Sequence, residues 1–225
     1  MAAESFAGKL WRALNEKTLG ALLESALWHC AESRKKLLWH AGVYGGSQWA
    51  RQVMDGETAR LVEELGPGTL RVLEISGSAW GGKHAFKSYR SVGYPELDIC
   101  AGTVDGVFDL VIAEQVWEHL LWPLRATRNV HAMLESGGHF LVTTPFLIKV
   151  HEEPADCTRW TETGLKHLLI EGGFDEESIA TGSWGNRACV KGNFKSWAPY
   201  NRLMHSLRNE RQFPVVVWAL AQRKS

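Results

Sequence analysis

Residues 108–145 decide the fold, beginning with FDLVIAEQVWEHL (108–120) and ending with FLVTTP (140–145). The apolar run at each end is typical of a buried strand, and a Ser-Gly-Gly turn at 136–138 precedes the second run. The residues between the two runs have the pattern of a helix. Strand, helix and strand in this order indicate a βαβ unit, within a parallel sheet that is covered on both faces.

The flanking sequence extends this pattern in both directions. The predicted strands are Leu70–Ile75, Phe108–Ala113, His139–Thr144 and Pro214–Leu220, and the predicted crossover helix is Glu114–Leu134. Apolar side chains recur at helical spacing within residues 1–65, where Asp55 is the predicted N-cap of a helix that runs to Leu65. We therefore expect a helical segment at 1–65, on the lid or substrate side, and an α/β domain at 66–225.

The composition excludes several classes of protein. Hydrophobic residues make up 45% of the 225 residues, which is enough for one large core, so disorder is not expected. The 25 basic and 25 acidic residues give a net charge of zero, and we expect no nucleic-acid partner. No apolar run approaches the ~20 residues that span a bilayer, so we expect no membrane partner. The four cysteines form no C-x-x-C pair and no signal-peptide pattern is visible, which together predict a cytoplasmic protein.

The turn after the first predicted strand is a candidate binding site. It reads Glu74-Ile75-Ser76-Gly77, and small residues there let a ligand approach the backbone closely. The dinucleotide fingerprint G-x-G-x-x-G is not met, which weakens a nicotinamide interpretation. A carboxylate at Glu74 suits a cationic or hydrogen-bond-donating ligand such as an aminoacyl group. The alternative is a tight connection from strand to helix that binds no ligand.

Several motifs in combination resemble one enzyme family. In chain order they are Glu74-Ile-Ser-Gly77, YPELDI (94–99), FDLVIAEQVWEHL (108–120), MLESGG (133–138) and FLVTTP (140–145). They resemble the class I S-adenosylmethionine-dependent methyltransferases, in their type-11-like branch, over roughly half of the chain. The resemblance implies an α/β, Rossmann-like, doubly wound and mostly parallel sheet of seven strands, with helices on both faces and an N-terminal helical extension. It also implies S-adenosylmethionine (SAM) as the cofactor, bound by the domain at 66–225.

The resemblance assigns cofactor-binding roles residue by residue. The residues implied to bind SAM are Glu74, Ser76, Gly77, Tyr94, Glu96, Asp98, Ile99, Glu114 and Gln115. Glu74, Ser76 and Gly77 would meet the methionine part, although only Gly77 stands near a position of the glycines in the family's usual E-x-G-x-G-x-G. Glu114 and Gln115 would line the sulfonium end. The alternative for Glu114 is a charge at a helix N-terminus, favoured by the helix dipole.

The nucleoside part of SAM is assigned to the YPELDI motif. Glu96 corresponds to the carboxylate that holds the ribose diol, with Tyr94 as its aromatic neighbour. Asp98 resembles the carboxylate that contacts the adenine amine, and Ile99 would pack against the ring. The alternative is that Glu96 and Asp98 are ordinary loop carboxylates.

Two clusters of polar residues could hold the methyl acceptor. The first is Trp117-Glu118-His119, and the second is HEEPADCTRW (151–160), which directly follows a predicted strand. Loops at the carboxyl ends of strands form the ligand crevice in folds of this kind. The candidate catalytic residues are His119, His151, Asp156 and Arg159, with either histidine as a base and the last two as an orienting pair. The alternative is a charged loop that is merely solvated.

A metal site at these clusters is a second interpretation. Gln115, Glu118 and His119 have the spacing of one helical face, and with His151 they resemble a Glu-x-x-Glu-His plus His arrangement of some metal-assisted methyltransferases. A glutamine stands where that arrangement has a carboxylate, and Glu-His also occurs in many metal-free relatives. We therefore expect no bound metal.

The leading functional prediction is transfer of a methyl group from SAM to an oxygen or nitrogen of a small-molecule acceptor, of the sugar or natural-product type. The acceptor itself would be selected by residues 1–50 and 183–212, which have the least regular patterns. Two alternatives stay open: a nicotinamide-dependent oxidoreductase, and a non-catalytic binding module that keeps the fold.

Overall fold

A computed structural model describes residues 44–194 and 196–224 of the chain. The chain divides into two compact units, one comprising Ser47–Tyr200 with His205–Ser225 and the other Met1–Gly46 with Asn201–Met204. The six-stranded sheet, the four helices and the cavities described below belong to the first unit. The helical segment predicted for the N-terminal residues lies, up to residue 43, outside the described residues.

The first unit is built around a six-stranded sheet. The strands of the chain are β1 (Tyr44–Gln48), β2 (Arg71–Ile75), β3 (Ser88–Val92), β4 (Phe108–Glu114), β5 (Leu134–Pro145), β6 (Ile179–Trp184), β7 (Pro199–Asn201) and β8 (Val216–Gln222). The order within the sheet is β3-β2-β4-β5-β8-β6, and β1 and β7 lie outside it. Strands β2 to β5 pair in parallel, whereas β8 runs antiparallel to both β5 and β6. The predicted α/β, mostly parallel sheet is confirmed.

The predicted number of strands is wrong by one, since the sheet has six rather than seven within the described residues. No strand forms between β3 and β4, because residues 93–107 fold into turns. There the Asp98 carbonyl accepts the N–H groups of Ala101 (2.9 Å) and Gly102 (3.1 Å). The Asp98 side chain accepts the N–H of Cys100 at 2.9 Å. Backbone groups bonded in this way are not available for a ladder with a neighbouring strand.

Helices cover both faces of the sheet, as predicted. They are α1 (Arg51–Glu64), α2 (Pro123–Met133), α3 (Glu162–Glu171) and α4 (Arg187–Asn193). Alternate residues of β4 point to opposite faces. Leu110 and Ile112 share a core with Val62 of α1, whereas Val111 and Ala113 belong to the core that α2 and α3 complete. Because β4 is packed on both faces, its carboxyl end at Glu114 has a fixed position.

Helix α1 packs within the same unit as the sheet. Its buried residues Met54, Thr58 and Val62 lie one and two turns apart, so they share one face. The helix begins at Arg51 after Ala50, and the predicted N-cap at Asp55 is wrong. The unit that contains this helix begins at Ser47, and the predicted division of the chain between residues 65 and 66 stays a prediction.

The predicted crossover helix Glu114–Leu134 is replaced by three different structures. Glu114 ends β4, a single 3-10 turn spans Trp117–His119, and α2 begins only at Pro123. Gln115, directly after the strand, has a φ of 58°. This left-handed conformation does not occur within a right-handed α-helix, so no helix can start at Glu114. The consequence is that Glu118 and His119 lie in a tight turn at the sheet edge. Within the described residues, no helix is long and apolar enough to cross a membrane.

Candidate functional site

A cavity of about 590 Å³ opens at the carboxyl ends of β2, β3 and β4. This is the edge at which open α/β sheets bind their ligands. Its lining residues are Ile75, Ser76, Gly93, Tyr94, Leu97, Asp98, Ile99, Cys100, Gln115, Val116, His119, Leu120, Leu121, Trp122, Glu153 and Pro154. The cavity brings together five of the predicted cofactor-binding residues, which are Ser76, Tyr94, Asp98, Ile99 and Gln115. Four others, Glu74, Gly77, Glu96 and Glu114, are not among the lining residues.

The carboxylate of Glu74 is used to build the turn after β2. It is buried and accepts the backbone N–H groups of Ala79 at 3.2 Å and Trp80 at 3.0 Å. The hydroxyl of Tyr89 also donates to it, and burial followed by this hydrogen bond raises the pKa of Tyr89 to about 12. Gly77 makes room for this arrangement, since a Cβ there would stand 2.3 Å from a carboxylate oxygen of Glu74. The predicted contact of Glu74 with a ligand therefore competes with three donors from its own chain.

Glu114 lies in a cluster of charged groups behind the turn. Its carboxylate pairs with Arg51 of α1, accepts the indole N–H of Trp80 at 3.1 Å and lies 3.8 Å from the Lys83 ammonium. Arg51 in turn pairs with Asp55 at 3.5 Å. The cluster connects α1 to the end of β4. Glu114 therefore helps to hold α1 against the strand, and it does not line the larger cavity.

The two carboxylates of the YPELDI motif differ in position. The Glu96 side chain is 70% exposed and approaches Arg90 at 3.9 Å. Asp98 lines the larger cavity, and its neighbour Ile99 is buried within it. The end of β3 itself is followed by Gly93, whose backbone lines the cavity without any side chain. Of these two residues, Asp98 is thus the one that presents a carboxylate to the cavity.

Gln115 and His119 form a wall that the larger cavity shares with a second one. The second cavity has a volume of about 170 Å³, and it is lined by Gln48, Ala50, Arg51, Met54, Gln115, Glu118, His119, Pro145, Ile148, His151, Asn193, Trp197, Val215 and Val216. Gln115 is fixed in the wall by Thr143, whose carbonyl accepts its N–H at 3.0 Å and whose hydroxyl accepts its amide N–H at 3.1 Å. Two adjoining cavities of unequal size therefore meet at the end of β4.

Glu118 is a buried carboxylate without a hydrogen-bond partner in the described structure. Its side chain has no exposed surface, and neither carboxylate oxygen accepts a hydrogen bond. Burial raises the pKa of Glu118 to about 7, against a smaller lowering effect of the Arg159 charge. A buried carboxylate of this kind is costly unless something neutralises it. Because Glu118 lines the smaller cavity, that cavity is where a neutralising group can reach it.

The loop after β5 is held against this turn by the backbone. The carbonyl of Glu118 accepts the N–H groups of Cys157 at 2.8 Å and Thr158 at 3.2 Å. The Nδ1 atom of His119 bonds the carbonyl of Ala155, which leaves Nε2 directed elsewhere. These contacts bring His151 to the smaller cavity, where its ring centroid lies 5.0 Å from that of His119.

His119, His151 and Glu118 form a compact cluster. One ligand-capable atom of each lies within 4.8 Å of those of the other two, and Nε2 of His119 is 3.6 Å from a carboxylate oxygen of Glu118. Burial lowers the pKa of His151 below its ordinary value. At neutral pH His151 is consequently a neutral imidazole with a lone pair to offer.

The predicted catalytic residues Asp156 and Arg159 pair with each other. Arg159 holds the Asp156 carboxylate through both of its terminal nitrogens, and the backbone N–H of His151 donates to the same carboxylate at 2.8 Å. Burial alone would raise the pKa of Asp156, but these hydrogen bonds outweigh it and the net pKa is lowered. Neither residue lines the two cavities, so the pair fixes the loop that carries His151.

Several lining residues were missed by sequence reasoning. Arg51 and Met54 reach the smaller cavity from α1, and Trp197 reaches it from the irregular region after α4. The predicted acceptor-selecting range 183–212 contains Trp197, but no periodicity in that range indicates which residues face inward. Met54 carried only the signal of an apolar helix face, which does not distinguish a core residue from a cavity wall.

Comparison with solved structures identifies the fold. The chain is similar to a SAM-dependent methyltransferase from Archaeoglobus fulgidus, with a TM-score of 0.52 and 11% sequence identity, over 77% of this chain and 94% of that one. The chain has the class I SAM-dependent methyltransferase fold. It is also similar to phosphoethanolamine N-methyltransferase 2 from Haemonchus contortus in complex with S-adenosylhomocysteine, with a TM-score of 0.50 and 12% identity, over 81% of this chain and 54% of that one.

This methyltransferase fold is shown by structure and not by sequence. No protein-family model matches the chain, and no curated protein matches it. The predicted class I fold is therefore confirmed, while the predicted type-11-like branch, the cofactor-binding residues and the catalytic residues stay predictions.

Proposed function

We propose that the protein is a SAM-dependent methyltransferase that binds SAM in the larger cavity. The acceptor is a small molecule whose reacting oxygen or nitrogen enters the smaller cavity. The observation that carries this proposal is the shared wall of Gln115 and His119, across which the two cavities adjoin at the carboxyl edge of a methyltransferase fold. Transfer from a sulfonium to an acceptor needs two ligands side by side, and methyl transfer is catalysed largely by positioning them.

The larger cavity suits the cofactor in size and chemistry. Its volume of about 590 Å³ lies within the usual range for cofactor sites, and apolar residues such as Leu97 and Ile99 supply a surface for a flat ring. Asp98 is the carboxylate available for a polar group of the nucleoside. In this proposal Gln115 lies at the reacting end, because it also faces the smaller cavity.

The smaller cavity limits what the acceptor can be. Its volume of about 170 Å³ holds only the reacting end of a molecule of sugar or natural-product size. Its walls combine apolar Met54 and aromatic Trp197 with polar Glu118 and the two histidines. We propose a small molecule as the substrate and the cytoplasm as the location, the latter on the wide spacing of the four cysteines in the sequence.

A nicotinamide-dependent oxidoreductase fits this structure less well. A dinucleotide pyrophosphate in such folds is bound by backbone N–H groups of the turn after the first strand of the sheet. Here the N–H groups of Ala79 and Trp80 are bonded to Glu74, and the carboxylate itself would repel a pyrophosphate. A non-catalytic module with the same fold is the remaining alternative, and it is distinguished by experiment.

Calorimetric titration with S-adenosylhomocysteine and with NADH tests the proposal. We expect saturable binding of S-adenosylhomocysteine at one site per chain and none of NADH. Incubation of the protein with labelled SAM and fractionated metabolite extracts should then transfer label to a small molecule. Binding without any transfer would support the non-catalytic module. Failure to bind S-adenosylhomocysteine by a folded protein would refute the proposal.

A further inference from the structure

We propose that Glu118, His119 and His151 bind one divalent transition-metal cation at the smaller cavity. The proposal deepens the proposed function by assigning a ligand to the acceptor side. The cation site stands on its own geometry, and only its role toward the acceptor rests on methyl transfer. It replaces the expectation of a metal-free site that the sequence suggested.

The need for a cation comes from Glu118. Its carboxylate is fully buried, both oxygens lack hydrogen-bond partners, and it faces the smaller cavity. The nearby guanidinium groups do not supply the missing partner. Arg159 is bound to Asp156, and Arg51 is bound to Glu114 and Asp55. In the described part of the chain, the carboxylate therefore has no hydrogen-bond partner, and the basic group beside it is His119, whose Nε2 lies 3.6 Å away.

The two histidines complete, together with Glu118, a set of three possible metal ligands. The carbonyl of Ala155 holds Nδ1 of His119, so that atom carries the proton and Nε2 keeps a lone pair. A metal-binding histidine commonly donates its other ring N–H to a backbone carbonyl in this way, which fixes the tautomer. A ligand with an ammonium group is the other cation that could neutralise Glu118, but it needs several hydrogen-bond acceptors around it. Two imidazole nitrogens and one carboxylate oxygen are instead typical ligands of zinc and of non-haem iron.

The distances require a movement of one side chain. With bonds of about 2.0–2.2 Å, two ligand atoms on the same metal lie roughly 3–3.5 Å apart. Nε2 of His119 and the nearer oxygen of Glu118 are already 3.6 Å apart. The three ligand atoms lie within 4.8 Å of one another, so His151 closes the set by a rotation of its partly exposed ring.

Gln115 is not part of this set. Its amide N–H is held by the Thr143 hydroxyl at 3.1 Å and its amide nitrogen lies 3.7 Å from the sulfur of Met54. Three protein ligands leave coordination positions open, which is the pattern of catalytic rather than structural metal sites. In the proposed reaction, a cation here would bind the acceptor through a hydroxyl or carbonyl oxygen and orient it toward the shared wall.

The experiment uses the full chain after removal of metals with a chelator. Titration with Zn²⁺, monitored by calorimetry, should show one site per chain, and Co²⁺ should give a visible absorption spectrum of a site with nitrogen and oxygen ligands. Glu118→Gln, which keeps the shape of the side chain, and His151→Ala should each weaken binding at least about tenfold, since even loss of an outer partner of a ligand has that effect. His167→Ala removes an exposed imidazole of α3 and should change nothing.

The outcomes separate the two proposals. Unchanged metal affinity in Glu118→Gln and His151→Ala, or a wild-type chain that binds no metal, overturns the cation site. Because His151 lies on a loop, His151→Ala keeps the test valid even if Glu118→Gln fails to fold. S-adenosylhomocysteine binding is measured on the same samples. A wild-type chain that binds metal but not S-adenosylhomocysteine would refute the proposed methyltransferase and support the cation site.

Discussion

Two buried glutamates near the same edge of the sheet have opposite surroundings. Glu74, at the end of β2, accepts hydrogen bonds from two backbone N–H groups and one tyrosine hydroxyl. Glu118, in the turn after β4, accepts none. Burial of a carboxylate is tolerated when hydrogen bonds or a counter-charge compensate it. At Glu74 the chain supplies that compensation itself. At Glu118 no hydrogen bond supplies it, burial raises the pKa of the carboxylate to about 7, and the proposed cation would compensate the charge.

The largest effect that this comparison predicts is on turnover. His151→Ala should lower the rate of methyl transfer by ~10²-fold or more, because a side chain that contacts the reacting end of the acceptor is lost. Affinity for S-adenosylhomocysteine and the free energy of unfolding should change little, since His151 lies in a loop outside the larger cavity. Single-turnover kinetics with labelled SAM would measure the rate. A near-normal rate would show that the loop after β5, which carries His151, takes no part in the reaction.

A second prediction concerns the stability supplied by Glu74. Glu74→Gln should lower the free energy of unfolding by about 1–3 kcal/mol, because a charged acceptor shared by three donors is lost in a buried place. Urea denaturation followed by tryptophan fluorescence measures the change. Tyr89→Phe removes one of the three donors and should cost less than Glu74→Gln. If Glu74→Gln is as stable as wild type, the carboxylate is free for a ligand, and the contrast with Glu118 fails.

A third prediction is that the corresponding substitution at Glu118 changes the free energy of unfolding in the opposite direction. In metal-free protein, Glu118→Gln should raise the free energy of unfolding by about 1–2 kcal/mol, because it removes an unpaired buried charge and keeps the side-chain shape. The same denaturation assay, run with a chelator present, tests this. A fall in stability would mean that the Glu118 carboxylate already has a partner within the protein. If Glu118→Gln stabilises the protein and Glu74→Gln destabilises it, the difference between the two buried carboxylates is established directly.

The smallest predicted effect distinguishes two carboxylates of the larger cavity region. Asp98→Asn should weaken S-adenosylhomocysteine binding about tenfold, through loss of a charge-assisted hydrogen bond. The substitution keeps the oxygen that accepts the N–H of Cys100, so the turn should persist. Glu96→Gln is the matched control and should bind normally, because Glu96 is exposed and lies off the cavity. Calorimetric titration of both variants decides between them, and the reverse result would restore the sequence-based role of Glu96.

Four of the six strands of the sheet, β2, β4, β5 and β8, could be predicted from sequence because their signal is local, whereas β3 and β6 were not predicted. A run such as residues 108–114 is apolar along most of its length and is buried on both faces, so composition alone indicates a central strand. The predicted helix at Glu114–Leu134 is confirmed only over α2 (Pro123–Met133), because the chain after β4 takes a φ of 58° at Gln115, whose backbone N–H donates to Thr143 on the neighbouring strand. That bond joins positions distant in sequence, and no local pattern reports it.

The candidate site was predictable in part for the same reason. Ser76 and Asp98 follow strands whose carboxyl ends meet at one edge, so their convergence follows from topology. The compensation of Glu74 by Ala79 and Trp80 depends on how one turn closes, and the lack of compensation at Glu118 depends on how a distant loop docks. Both are properties of packing. A sequence shows which side chains can ionise, but not which of them find a partner.

The shared wall of Gln115 and His119 has a consequence for how two ligands would influence each other. A ligand that immobilises either side chain from the larger cavity would reduce the entropy that a ligand in the smaller cavity has to lose, and the reverse holds equally. Such a coupling free energy is reciprocal, so the acceptor would tighten cofactor binding by the same factor by which the cofactor tightens acceptor binding. Positive cooperativity would then arise from one pair of side chains, without any movement of domains.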